Sequence, residues 1–276
     1  VIGKPDVLMQ VYNVIGKTQG QFPMPFGTNI YLYLDLYLQE DESVKKVIDE
    51  AKYLNQKLKN NLLIVRVTRP TTVQIMDFIK EELKHFPSII LLIDYGNKGF
   101  NRNVKEDFRK NNIGMIMLAP EMFKNKENIQ SVLDLKIPIF KFGKENLKAV
   151  KRTVIILNDT NSYEQISPIV FDISSQLKIK TKIFDLDPVG DKEGKTNLID
   201  HFENLAKIFN EKIEVVTSAQ NPIRELKKQK DMLQLLPLKE KMFKKKYLFK
   251  FLYTNSDFIA FNSNKYNQLL IPIVEE

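Results

Sequence analysis

The chain has 276 residues, 43% hydrophobic and 28% charged, a composition that suits a soluble globular protein long enough for two ordinary domains. It has no cysteine, which excludes disulfides and thiolate metal sites, and no apolar run reaches the roughly 18 residues needed to span a bilayer. The net charge of +8 is local, because ten Lys/Arg stand against three acids between Arg224 and Lys250; this argues against nucleic acid bound over a broad face.

Residues 1–28 carry Gly3, Pro5, Gly16, Gly20, Pro23, Pro25 and Gly27 without a clear period and read as a lead-in or linker. They open on Val rather than Met, so a fragment of a longer protein and a processed start both stay open. Residues 30–38 (IYLYLDLYL) are β-rich. The acidic turn Glu40-Asp41-Glu42 follows, with Asp41 or Ser43 as helix cap, and Val44, Val47, Ile48, Ala51, Leu54 and Leu58 recur at helical spacing. Strands are predicted over 62–67, 88–93, 113–118 and 137–142, with helices between them: one faced by Val73, Ile75, Met76, Ile79 and Leu83, one over 104–110 and one over 128–133. Gly96-Asn97-Lys98-Gly99 is a glycine-bearing turn after the third strand.

The pattern then starts again. Residues 152–157 are an unbroken β-rich run closed by Asp159. Ser162 is placed to cap a helix whose apolar face is Ile166, Ile169, Val170, Ile173 and Leu177, and a strand is predicted over 179–184. A helix over 197–209, a strand over 213–217, a helix opened by Asn221-Pro222, and strands over 257–261 and 269–274 complete the chain. Ser43 and Ser162 occupy equivalent turns, each after a strand and an acidic residue. Alternating strands and helices with short joins predict an α/β fold. The expected form is two similar open, mainly parallel sheets flanked by helices. The first domain is expected over 29–147 and the second over 148–276, with the boundary near 144–151.

Asp159 at a strand end, the Ser162 turn, the mid-helix Pro168, Asn221-Pro222-Ile223 and the run Asp257-Phe258-Ile259 with Asn262-Ser263 together resemble the universal stress protein family. The resemblance covers roughly 29–274. It implies tandem doubly wound domains with ATP or another nucleotide as ligand, held in nucleotide-binding members by Gly-x-x-Gly, about nine residues, and Gly-Ser/Thr, where glycine lets the backbone close on phosphate. In the first half Gly96 and Gly99 match the start of that motif, while Lys110 and Asn111 stand where its end belongs; the second half has no glycine over 263–267. Any nucleotide site is therefore expected in the first half, near Glu40, Val67, Gly96 and Gly99. Asp159 is placed either for a ligand or as a helix cap, and Gly96–Gly99 also suits a plain tight turn.

No phosphate-loop Gly-Lys-Ser/Thr, nucleophile elbow or Gly-x-Gly-x-x-Gly is present. His85 and His201 have no partners at metal-ligand spacing, and the acidic turn could bind a cation with Asp35 or simply favour a helix start. From Pro237, PLKEKMFKKKYLFKFLY places Leu238, Met242, Phe249 and Leu252 near one helical face with the lysines elsewhere. This basic segment, 226–252, reads as an insertion. Lys241, Lys244, Lys245 and Lys246 then form either a solvated face or a surface for anionic lipid or an acidic partner.

The function expected is a non-catalytic cytosolic regulatory or ligand-sensing module. Its similarity to the paired stress-protein-like domains of cation/proton antiporters implies attachment to the membrane domain of the same protein, at the inner face of the membrane. A free-standing tandem stress protein that binds ATP or another nucleotide and an enzyme on a related α/β scaffold are the alternatives, and a homodimer is a further expected partner.

Overall fold

A computed structural model describes residues 29–59, 62–68, 72–92, 99–157, 167–185, 192–208, 212–217, 228–239 and 264–273. In chain order its elements are β1 (Asn29–Asp35), α1 (Asp41–Lys57), β2 (Leu62–Thr68), α2 (Val73–Leu83), β3 (Ser88–Leu91), α3 (Gly99–Lys110), β4 (Ile113–Leu118), α4 (Lys126–Leu133) and β5 (Ile139–Lys141). The second half follows with β6 (Arg152–Leu157), α5 (Ser167–Leu177), β7 (Lys180–Asp185), α6 (Lys192–Ile208), β8 (Ile213–Thr217), β9 (Met232–Lys239) and β10 (Asn267–Ile273).

Strand alternation separates two cores. Ile30, Leu32 and Leu34 of β1 pack with Val44, Val47, Ile48 and Ala51 of α1 on one face of the sheet, where α2, α5 and α6 also lie. Tyr31 and Tyr33 turn to the other face, with Phe100 and Val104 of α3 and Ile129, Val132 and Leu133 of α4. Burial on both faces explains why the central strands are apolar almost throughout. Glu40 stands at the N-cap of α1 without a side-chain cap bond, so Asp41 and Ser43, expected as caps, lie inside the first turn. There the acids Asp41 and Glu42 complement the helix dipole instead.

The strands form one ten-stranded sheet in the order β3-β2-β1-β4-β5-β10-β9-β6-β7-β8. The α/β, mainly parallel character agrees with the sequence, but the two expected sheets are joined into one. Each half runs third-second-first-fourth-fifth, and the halves meet where β10 pairs antiparallel with β5, Leu269 opposite Phe140. The junction gives the backbone of β5 a partner that an open edge would lack. It is reinforced by Asn267, whose Oδ1 accepts from the Gly143 N–H at 2.9 Å and whose Nδ2 donates to the Glu145 carbonyl at 3.1 Å. A Cβ on Gly143 would come within 2.2 Å of the Tyr266 carbonyl carbon, so only glycine fits.

The segment predicted as a helix from Pro237 is a strand as far as Lys239. β9 occupies the fourth-strand place of the second half, parallel to both β6 and β10. The strand predicted over 257–261 lies outside the described residues. Met232, Leu236 and Leu238 face one core and Leu233 and Leu235 the other, an alternation that a helical spacing of Leu238 and Met242 had hidden. Pro237 is compatible with the strand because pairing with β6 ends at Leu235.

Candidate functional site

β1 and β4 are neighbours in the sheet but not in sequence: the chain leaves β1 toward β2 on one side and returns to β4 on the other. Such a switch point opens a crevice beyond the carboxyl ends of the strands, where open α/β sheets take their ligands. A cavity of about 320 Å³ lies there.

Its walls come from four directions. Tyr33 and Asp35 end β1, Thr68 ends β2, Gly99, Phe100 and Asn103 come from the first turns of α3, and Met122 and Asn125 from the connection into α4 with Asn128 in its first turn. Asp35 is 6% exposed. Its Oδ1 accepts from the Tyr37 N–H at 3.2 Å, a local turn that holds the carboxylate at the strand end. The Thr68 hydroxyl donates to the Leu34 carbonyl at 3.2 Å and ties the ends of β1 and β2 together. Tyr33 and Phe100 meet edge to face with ring centroids 4.7 Å apart. Asn103 is 2% exposed, and its Oδ1 has no hydrogen-bond partner among the described residues. Gly99 begins α3 with φ +38°, a backbone setting that favours glycine.

Beneath the cavity lies a buried polar cluster. Arg66 of β2 and Asp107 of α3 pair through two hydrogen bonds, Nε to Oδ2 at 2.7 Å and a second from Nη2 to Oδ1, and the Tyr31 hydroxyl donates to Asp107 Oδ2 at 2.6 Å. Arg66 and Asp107 are each 1% exposed. Burial, and next the Asp107 carboxylate, hold the Tyr31 phenol pKa well above its ordinary value, so it stays a donor. Phe100, Asn103, Val104 and Asp107 all lie on the buried stripe of α3. The Arg66–Asp107 pair therefore fixes the helix that carries Phe100 and Asn103 into the crevice.

Of the residues predicted from sequence, the structure places Gly99 on the cavity wall. Glu40 is exposed at the start of α1, and Val67 is buried in the core under α1 and α2, with its neighbour Thr68 on the wall. Gly96, Asp159, Lys241, Lys244, Lys245 and Lys246 lie outside the described residues. Sequence reasoning passed over Thr68, Phe100 and Asn103, and considered Asp35 only beside the acidic turn. The available signal was a polar residue on an apolar stripe: Asn103 and Asp107 recur at helical spacing with Phe100 and Val104. Among the described residues no His/Cys/Asp/Glu group is placed to hold a metal ion, and no helix is long and apolar enough to cross a membrane.

Comparison with solved structures settles the architecture. A universal stress protein from Archaeoglobus fulgidus superposes with a TM-score of 0.56 over 88% of this chain and 96% of its own, at 13% identity. The fold is that of the universal stress proteins. A functionally unknown protein from Pseudomonas aeruginosa superposes equally well, with a TM-score of 0.57, 10% identity, and 90% and 94% of the two chains covered. No protein-family model and no curated protein matches the amino-acid sequence.

Proposed function

We propose that this protein is a ligand-sensing regulatory module that performs no chemistry of its own. Its ligand, a nucleotide or a close relative, occupies the crevice at the ends of β1 and β2. The observation that carries this reading is the Asn103 Oδ1 in the cavity wall, buried and without a hydrogen-bond partner among the described residues. A buried acceptor without a donor is costly, and a ligand supplies the missing donor. Binding would then close the first turn of α3 over the ends of β1 and β2, with the helix held below by the Arg66–Asp107 pair.

The module acts on a membrane domain, in the manner of the stress-protein-like pairs of cation/proton antiporters. The basic residues Lys241, Lys244, Lys245 and Lys246 would hold it against anionic lipid. That attraction is on the order of 1 kcal/mol per lysine near the surface and fades over roughly 8–10 Å at physiological salt.

Equilibrium dialysis of the full chain against labelled nucleotides and nucleosides tests the ligand. One bound molecule per chain, lost in Phe100→Ala, is expected; no binding, or binding indifferent to Phe100, would sink the site. For the membrane partner, vesicles containing phosphatidylserine should co-sediment the wild type at low salt and release it when the four lysines become Gln. Equal sedimentation of both proteins would remove the lipid surface.

A further inference from the structure

The crevice and the seam between the halves lie at the same end of the sheet. β5 runs parallel to β4 and β1, β10 runs antiparallel to β5, and β9 and β6 run parallel to β10. The first half's strands therefore end where those of the second begin. At that end lie the β1–α1 turn, which supplies Asp35 and Leu38 to the cavity wall, and the connection from β5 to β6.

The turn and the helix after it are one bonded unit. The Asp35 carbonyl accepts from the Leu38 and Gln39 N–H groups at 3.0 and 3.1 Å, and the Asp35 N–H donates to Gln39 Oε1 at 2.8 Å. The Glu40 carbonyl accepts from the Val44 N–H at 3.0 Å as α1 begins. Lys46 lies about 7.5 Å along the helix from Asp41, at 1.5 Å per residue. Its Nζ reaches out to the connection, where it donates to the Gly143 carbonyl at 2.6 Å and the Glu145 carbonyl at 3.4 Å, with the Glu50 carboxylate 3.1 Å away on its own helix.

The second half grips the same residues from the other side. Asn267 holds the Gly143 N–H and the Glu145 carbonyl, and the Lys144 and Glu145 N–H groups donate to the Asn264 and Lys265 carbonyls at 2.9 and 3.0 Å. The Glu145 carbonyl thus takes Lys46 from the first half and Asn267 from the second. There is no slack at Gly143, where a Cβ would strike the Tyr266 backbone. A shift of α1 must therefore move the start of β10 or break these bonds. Lys148 and Asp49 join the same helix to the same connection at 2.6 Å, but their side chains are 45% and 56% exposed, and such surface pairs hold little.

We infer that Lys46 couples the crevice of the first half to the second half: an occupied crevice and a closed Lys46 clamp favour each other. A ligand against Asp35 and Leu38 restrains the turn and with it the start of α1, so less motion remains to be lost when Lys46 holds the connection. Such coupling is reciprocal. Loss of the clamp must then weaken binding in a cavity whose described lining does not include Lys46. This inference rests on the ligand-sensing reading and adds where the signal goes.

Calorimetry on the full chain with adenosine, AMP and ATP and their guanosine counterparts finds the probe that binds, which is then titrated into Lys46→Met and Lys148→Ala. Lys46→Met keeps the apolar stem and removes the ammonium; it should bind about fivefold or more weakly, while Lys148→Ala binds as the wild type does. Hydrogen exchange on the wild type gives a second readout. The bound probe should slow the Gly143 and Glu145 amides severalfold and leave the turn amides of Lys84 and Phe86, at the opposite end of the sheet, unchanged. If Lys46→Met folds poorly, the exchange measurement decides. Unchanged affinity in Lys46→Met, an equal loss in Lys148→Ala, or equal slowing at both pairs of amides would each overturn the inference and leave the ligand-sensing reading intact. Absence of binding by every probe would overturn both readings.

Discussion

The two halves share a strand order but not an interior. In the first, the Tyr33–Arg66 pair across β1 and β2 lies on the face covered by α3, and Arg66 binds Asp107 and lies beside Tyr31. In the second, the register-equivalent pair is Ile156–Phe184, with Val154 two residues before Ile156, and all three are apolar and buried. The fold is thus satisfied by hydrocarbon at these positions. A buried Arg–Asp pair loses hydration that its mutual attraction only partly returns, so fold stability alone does not call for it. The difference coincides with the crevice: the polar cluster lies under the wall that Phe100 and Asn103 form. It fixes the direction of α3, which an apolar contact would leave free to slide.

The largest effect should come from breaking the cluster on one side. Asp107→Ala leaves the Arg66 guanidinium buried without its carboxylate, and urea unfolding should show a loss of about 3–5 kcal/mol. Importing the second half's Val and Phe as Tyr31→Val and Arg66→Phe, with Asp107→Leu to match, should restore stability to the wild-type level or exceed it by about 1–4 kcal/mol, while ligand affinity falls. If the triple variant is as unstable as the single one, the two interiors are not interchangeable and the comparison fails.

The next effect lies at the seam between the halves. Gly143→Val pushes a side chain into the Tyr266 backbone, and a loss of at least about 1–3 kcal/mol is expected from overpacking. A separate early unfolding transition of the second half would show that the seam, more than either core, couples them. Unchanged unfolding would mean that the 143–147 segment can move away without cost.

Lys141 of β5 sharpens the seam further. Its side chain is buried, with Nζ 4.9 Å from the centre of the Phe123 ring, and burial lowers its pKa from 10.5 to about 8. A lysine whose folded pKa lies below its unfolded value favours the native state in its neutral form. Stability should therefore rise as pH climbs from about 8 toward 10.5, by roughly 1.4 kcal/mol for each unit of separation. Lys141→Met should flatten that rise and raise the melting temperature at pH 7. A wild-type pH profile flat over this window would show the ammonium to be well paired where it lies.

Removing only the charge of Glu50 in α1 gives the smallest effect. Its Oε1 accepts from the Leu147 N–H at 2.8 Å, which ties the first half to the connection between the halves. Burial raises its pKa, against the opposing hydrogen bond from Leu147. A carboxyl with a raised folded pKa favours the native state while protonated, so its contribution declines as pH rises through that pKa. Glu50→Gln keeps an acceptor without the charge and should change stability by no more than about 0.5 kcal/mol while removing the slope. Glu50→Ala should cost about 1–3 kcal/mol by leaving the Leu147 amide unsatisfied. Equal effects of the two would show that the amide finds another partner.

The alternation of strands and helices was legible because it depends on local periodicity. β1, β2 and β4 are apolar runs, and the stripe of Val44, Val47, Ile48, Ala51 and Leu54 marks α1; each of these patterns requires burial on the face where it lies. The universal stress protein resemblance followed from the order of such segments. β9 was missed because Leu238 and Met242 also fit a helical spacing, and the choice depends on β6 and β10, strands distant in sequence that offer a gap of one strand's width. The single sheet was hidden for the same reason: nothing within β5 or β10 alone says that they pair with each other rather than with another chain. The site divides along that line too. Gly99 was visible as a glycine in a turn after a strand, a local property. Asp35, Thr68 and Asn103 form one wall only because the chain crosses from β2 and β3 to β4 past β1, and Asn103 Oδ1 lacks a partner among the described residues only because packing buries it there. Periodicity is written in neighbouring residues; contacts between distant strands, and what those contacts leave unsatisfied, exist only after the chain has folded.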